Sequence, residues 1–199
     1  MKNVPNILSG LRLILAPIFL FMYIQDALIW RSLSIAVFAV AAVTDYFDGK
    51  IARKYKIESE FGVFLDPLAD KFLTFAGFFC LPFLDAEQFP WWAVTVIVIR
   101  DVAVTLFRLY ANRKNLPLKT LFTAKAKTLI QMIFLYLVIL IGVLKQAAVD
   151  YAVYVEDFFN SGMLYYGMMF VTALTVYSGL EYFYVNRRML KPNRNDKSH

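Results

Sequence analysis

Residues 44–71 read TDYFDGKIARKYKIESEFGVFLDPLADK, and this stretch decides the fold. Asp45 and Asp48 stand three apart, Asp66 and Asp70 four apart. Each spacing puts its pair on one face of an α-helix. A short basic segment with Lys50, Arg53, Lys54 and Lys56 separates the pairs, and long apolar runs flank them on both sides. The pattern predicts two antiparallel helices joined by a tight connection, so that the two acidic pairs meet.

Outward from this stretch the chain stays apolar. Of its 199 residues 60% are hydrophobic and 17% aromatic, only 18% are charged, and the mean hydropathy is +0.56. A soluble domain is about 45–50% apolar, so a soluble domain, a disordered chain and a coiled coil are all excluded. Six segments, at 7–25, 28–48, 62–84, 90–111, 121–144 and 162–186, approach the roughly 20 apolar residues a bilayer crossing needs. The fold class expected is therefore an all-α integral membrane bundle of six transmembrane helices. It forms a single domain over 1–199, with a basic tail at 187–199. The first run resembles a signal peptide, with Lys2 ahead of it. Arg12 and Pro17 interrupt it and no small-x-small site follows, so it reads as a retained span.

Lysine and arginine set the orientation. With the N-terminus in the cytosol, thirteen of them fall in cytosolic segments and two, Arg31 and Lys145, on the other side. Both termini are expected inside. Six more (Arg12, Lys71, Arg100, Arg108, Lys125 and Lys127) fall within the spans. Each is expected within a turn or two of a cytosolic helix end, where long cationic side chains reach water. Basic and acidic groups at one membrane depth suggest a polar cavity open to the cytosol. The net charge of +6 suits cytosolic loops beside anionic lipid rather than nucleic acid.

The available chemistry is narrow. Cys80 is the lone cysteine and His199 the lone histidine, which excludes disulfides, a thiolate zinc site and imidazole catalysis. Four converging carboxylates repel one another unless hard cations neutralise them, and Mg²⁺ or Mn²⁺ suits carboxylate with phosphate. Gly49 and Gly62 leave room for a ligand near the backbone, and Arg53 is placed to pair with phosphate. The combination points to pyrophosphate chemistry.

The pattern Asp45-x₂-Asp48-Gly49-x₂-Ala52-Arg53-x₈-Gly62-x₃-Asp66-x₃-Asp70 resembles the signature of the CDP-alcohol phosphotransferase family, and the six-span layout extends the resemblance over most of the chain. That family moves a phosphatidyl or similar group from a CDP-linked donor to an alcohol and releases CMP. The resemblance implies that Asp45, Asp48, Asp66 and Asp70 bind the divalent metals. It implies that Asp45, Gly49, Ala52, Arg53, Gly62 and Asp66 border the cytidine diphosphate, and that Asp70 takes the acceptor's proton. It further implies a homodimer in a bacterial cell (inner) membrane with the active site facing the cytoplasm.

The acceptor is read from outside the signature. Residues 3–13 (NVPNILSGLRL), the Arg100-Asp101 pair with Arg108, and 124–131 (AKAKTLIQ) resemble the bacterial phosphatidylglycerophosphate synthase branch, which joins CDP-diacylglycerol to glycerol 3-phosphate. That branch usually has glycine where Ala124 stands and glutamate where Asp101 stands. A phosphorylated acceptor needs cations, and Arg100, Arg108, Lys125 and Lys127 are the candidates to bind its phosphate. A cardiolipin synthase of the same family and an inositol-phosphate acceptor remain alternatives. A cation transporter is a remoter one, since it would place ionisable groups near mid-bilayer or on both sides.

Overall fold

The computed structural model describes residues 4–55, 60–114, 118, 121–147 and 152–187, with side chains at 10–11, 13–41, 71–114, 118, 121–147 and 153–187. The described residues form seven helices: α1 (Val4–Tyr23), α2 (Leu28–Tyr55), α3 (Glu60–Leu84), α4 (Trp91–Arg113), α5 (Phe122–Ala147), α6 (Ala152–Asn160) and α7 (Met163–Asn186). No strand occurs among them. Long apolar runs take this form because a helix satisfies every interior backbone group within the segment.

Each of the six expected spans falls on one long helix. The boundaries move most around the acidic stretch: α2 runs on to Tyr55 and α3 begins at Glu60, leaving 56–59 outside the described residues. The basic tail beyond Arg187 also lies outside them. By length and composition, Phe122–Ala147 and Met163–Asn186 can cross a membrane, while Leu13–Tyr23, Leu28–Ala41 and Lys71–Leu84 are shorter apolar helical stretches. Exposed apolar side chains agree with a lipid environment. Phe122, Leu129, Ile133 and Leu140 of α5, and Tyr166, Phe170, Tyr177 and Leu180 of α7, all lie outward. A surface of that extent is unfavourable in water and suits lipid tails. The described residues are helical apart from short connections, and the chain is a membrane protein.

Two three-helix groups make up the bundle. α1 packs along α2 and α3, α7 packs along α4 and α5, and contacts of α3 with α4 and α5, and of α2 with α5, join the groups. Aromatic rings fill the seam: Phe19 and Phe38 lie 4.6 Å apart between centroids, and Tyr136 of α5 meets Phe38 edge-on at 5.1 Å. Gly142 of α5 leaves room there for the tips of two side chains: a Cβ at that position would crowd the Tyr23 hydroxyl and lie 3.0 Å from a Leu84 methyl, so these groups would have to shift.

The short helix α6 lies between two of the expected spans, in a segment that carries Glu156 and Asp157. Phe159 explains it. The ring is fully buried, Lys145 Nζ stands 3.9 Å from its centroid, and Gln88 donates to its carbonyl. Gly162, at φ 73°, then turns the chain into α7 through the left-handed region that glycine adopts without strain.

Candidate active site

The signature divides between two helices. Asp45, Asp48, Gly49, Ala52 and Arg53 lie on α2, and Gly62, Asp66 and Asp70 on α3. Helical backbone runs through both groups, so the i,i+3 and i,i+4 spacings act as helical spacings. The side chains of all eight lie outside the described residues.

The described chemistry begins one residue later, at Lys71, and centres on Asp101 of α4. Asp101 is buried, with its side chain 1% exposed. Lys127 of α5, equally buried, donates to Asp101 Oδ1. Arg100 Nη1 donates to the same oxygen at 3.0 Å. Lys71 Nζ of α3 lies 3.9 Å from Asp101 Oδ2, an ion-pair distance rather than a hydrogen bond. Three helices thus bring three cations to one carboxylate among the described side chains. Lys71 and Arg100 keep 19% and 12% of their side chains exposed, and Lys127 keeps 1%.

A polar strip on α7 and α5 continues the cluster. Arg100 Nη2 donates to Ser178 Oγ at 2.9 Å, Ser178 Oγ donates to the Thr175 carbonyl, and Gln131 Nε2 donates to Thr175 Oγ1 at 3.1 Å. Gly179 eases the approach of Arg100, since a Cβ there would stand 3.0 Å from Arg100 Cγ and 3.1 Å from Nε and would press the side chain aside by a few tenths of an ångström. Arg100 Nε, Asp101 Oδ2 and Gln131 Oε1 are buried without a hydrogen-bond partner. Buried polar atoms are nearly always satisfied, so three in one cluster mark a place where a further polar group belongs.

Of the four cations read as phosphate binders, the structure brings Arg100 and Lys127 together and leaves Arg108 and Lys125 exposed. The depth expected for the basic residues needs correction for two of them. Arg100 stands thirteen residues from Arg113, and Lys71 eleven from Glu60, about three turns or more inside their helices. Both face Asp101 within the bundle instead of reaching a helix end. Sequence reasoning missed Lys71 as a member of this group. The available signal was a lysine directly after the last signature carboxylate, with no further charged residue from there to the end of α3 at Leu84.

The family model described as CDP-alcohol phosphatidyltransferase matches residues 2–177. A protein of Mycobacterium tuberculosis, described as a probable phosphatidylglycerophosphate synthase, is 37% identical over 141 residues, 69% of this chain and 66% of its own length. Proteins described as CDP-diacylglycerol–glycerol-3-phosphate 3-phosphatidyltransferases are similar too. That of Cereibacter sphaeroides is 38% identical over 66% of this chain and 60% of its own length. That of Rickettsia typhi is 32% identical over 70% and 78%. The aligned region thus spans less than two thirds of the length of the first two of these relatives.

Proposed function

The chain belongs to the CDP-alcohol phosphatidyltransferase family, and from that membership we propose that it is an enzyme transferring the phosphatidyl group of CDP-diacylglycerol to glycerol 3-phosphate, yielding phosphatidylglycerophosphate and CMP. The observation that carries the choice of acceptor is the gathering of Lys71, Arg100 and Lys127 at Asp101, with Lys71 next in sequence to the last signature carboxylate. Such a concentration of cations suits an acceptor that carries a phosphate better than one that carries none. The names of the relatives point to the same acceptor.

The donor set of Asp45, Asp48, Asp66 and Asp70, all hard oxygen ligands on two adjacent helices, fits a divalent cation, Mg²⁺ or Mn²⁺. These carboxylates would hold such a cation, which when bound would supply stabilisation of the charge on the diphosphate and on departing CMP. Asp45, Gly49, Ala52, Arg53, Gly62 and Asp66 border the cytidine diphosphate in this reading. Arg100 and Lys127 fix the acceptor's phosphate, with Arg108 and Lys125 nearer the surface. Asp70 takes the proton of the acceptor hydroxyl as its oxygen bonds the phosphorus carrying diacylglycerol. The bond from that phosphorus to the bridging oxygen breaks, and CMP leaves with that oxygen.

Purified chain in detergent micelles, supplied with CDP-diacylglycerol, Mg²⁺ and one acceptor at a time, tests the reading by CMP release. Glycerol 3-phosphate is expected to support turnover, and phosphatidylglycerol, inositol phosphate and serine are not. Faster release with phosphatidylglycerol would make the chain a cardiolipin synthase. No CMP with any acceptor would remove the activity altogether.

The six long helices are the membrane crossings in this proposal, the chain forms a homodimer, and both termini and the polar cavity face the cytoplasm of a bacterial cell. The bias of basic residues supports the orientation. Cysteines placed at Glu87 or Glu156 are expected to react with an impermeant thiol reagent added to intact cells, and those at Lys56 or Lys191 are not. Cys80 is buried and gives no background. The reverse pattern would invert the topology and separate the site from cytoplasmic substrate.

A further inference from the structure

We propose that α6 is an interfacial helix. It lies in the headgroup layer of one leaflet, at the end of the bundle away from the signature, with Tyr154 and Phe158 dipping into the lipid. This rests on the reading that the long helices cross the bilayer, and it holds whichever face is cytoplasmic.

The residues of α6 divide by helical angle. At about 100° per residue, Tyr154 and Phe158 form one stripe, and Val155 and Phe159 the stripe beside it. Phe159 is buried against the bundle and Val155 is half-buried, whereas Tyr154 and Phe158 are exposed. Glu156, Asp157 and Asn160 occupy the rest of the circumference and are exposed too, with Val153 the one apolar side chain described among them. A packed face, an uncovered aromatic stripe and a polar face thus follow one another around nine residues. That order is what a helix needs to lie in the plane of a membrane interface, apolar side toward the acyl chains and polar side toward water. The polar face is acidic and offers nothing to anionic headgroups. The occupant of the stripe is therefore the apolar boundary of the bilayer, whatever the lipid charge.

The tryptophans give a second, independent sign of the same level. The chain has three, and all stand at this end. Trp30 lies in the first turn of α2, Trp91 and Trp92 open α4, and each is exposed. Contacts tie α6 to their level. Gln88, just before α4, donates to the Phe159 carbonyl, and Gln146, at the close of α5, donates to the Asp26 carbonyl, just before α2. Indole and phenol rings gather at membrane–water interfaces because the ring is apolar while its N–H or O–H reaches a polar partner. Beyond Gly162, Tyr166 at the start of α7 is exposed as well, and the exposed surface runs on to Phe170, which lies outward with the lipid-facing side chains. The aromatic stripe of α6 is continuous along the chain with that surface.

Nitroxide scanning of the full chain in phosphatidylcholine vesicles tests the proposal. Tyr154, Phe158, Glu156, Asn160 and, as a control in α7, Phe170 are each replaced by cysteine and labelled, while Cys80 is buried and stays unlabelled. Collisions with oxygen, which concentrates in lipid, are compared with those of a water-soluble nickel chelate. The oxygen-to-nickel ratio is expected to be about threefold or more higher at Tyr154→Cys and Phe158→Cys than at Glu156→Cys and Asn160→Cys. Quenching of the native tryptophans is expected to be stronger by about twofold with a nitroxide at carbon 5 of the acyl chain than at carbon 12. Equal ratios around α6, with Phe170→Cys still rich in oxygen, overturn the proposal by placing the helix in water. Shielding of Tyr154→Cys and Phe158→Cys from both reagents overturns it too, since protein, such as a second copy of the chain, would then cover the stripe. Tyr154 is a surface side chain, so its variant decides the matter even if Phe158→Cys fails to fold. A water-rich signal at Phe170→Cys would instead remove the bilayer crossing on which the proposal rests, a result distinct from these.

Discussion

Asp45→Ala, Asp48→Ala and Asp66→Ala are each expected to fall below about one tenth of wild-type CMP release at saturating Mg²⁺, while eluting and melting as the wild type does in detergent. The three stand at helical spacings on α2 and α3 with the fourth carboxylate, Asp70. A carboxylate that binds a cation contributes charge and geometry to the reaction and little to packing, so its removal separates activity from stability. Differential scanning fluorimetry beside the CMP assay supplies both readings. Any one of the three that keeps more than about a tenth of the activity with normal melting leaves the ligand set. A variant that loses activity and melting together has a structural role instead.

Lys127→Ala has the largest expected effect on stability. Its ammonium group donates to Asp101, both side chains are 1% exposed, and deleting one partner leaves a carboxylate in an apolar interior. Breaking a buried pair on one side typically costs 3–5 kcal/mol. Arg100 and Lys71 still face Asp101, so the loss is expected at the lower end, about 3 kcal/mol. Removing both charges in Asp101→Asn/Lys127→Met is expected to recover at least about half of that loss, since no unpaired ion remains. Thermal melting of the three proteins in one detergent checks this. Wild-type melting of Lys127→Ala would mean that water or another cation already compensates Asp101.

How far the sequence discloses this architecture depends on which forces act locally. The six long helices are legible because an apolar run in lipid has one way to satisfy its backbone, whatever its neighbours do. α6 is not, because nine residues carrying Glu156 and Asp157 form a helix only through the burial of Phe159 against Gln88 and Lys145, which lie elsewhere in the chain. The signature is legible because its spacing is local to two helices. The cluster around Asp101 is only half legible. Arg100 and Lys127 stand out as cations in apolar helices, but their meeting at one carboxylate, with Lys71, joins residues up to 56 positions apart. Grouping Arg108 and Lys125 with them by membrane depth ignores the turn of the helix. Two residues apart at about 100° each put Lys125 on nearly the opposite side of α5 from Lys127, and it is exposed there.

The meeting of charges at Asp101 also bears on how the chain enters the bilayer. A lone aspartate or lysine at the centre of an inserting helix costs about 2.5–3.5 kcal/mol on the translocon scale. Asp101 arrives in α4 with Arg100 beside it and Lys71 already present in α3, whereas Lys127 follows 26 residues later. If α3 and α4 cross the membrane as proposed, the acid therefore has one cation in its own helix and a second in the helix before it. On the same topology, α5 brings its lysine to a carboxylate that is already in place. The order of these four residues along the chain would then let charges that build the site also ease the entry of a later helix.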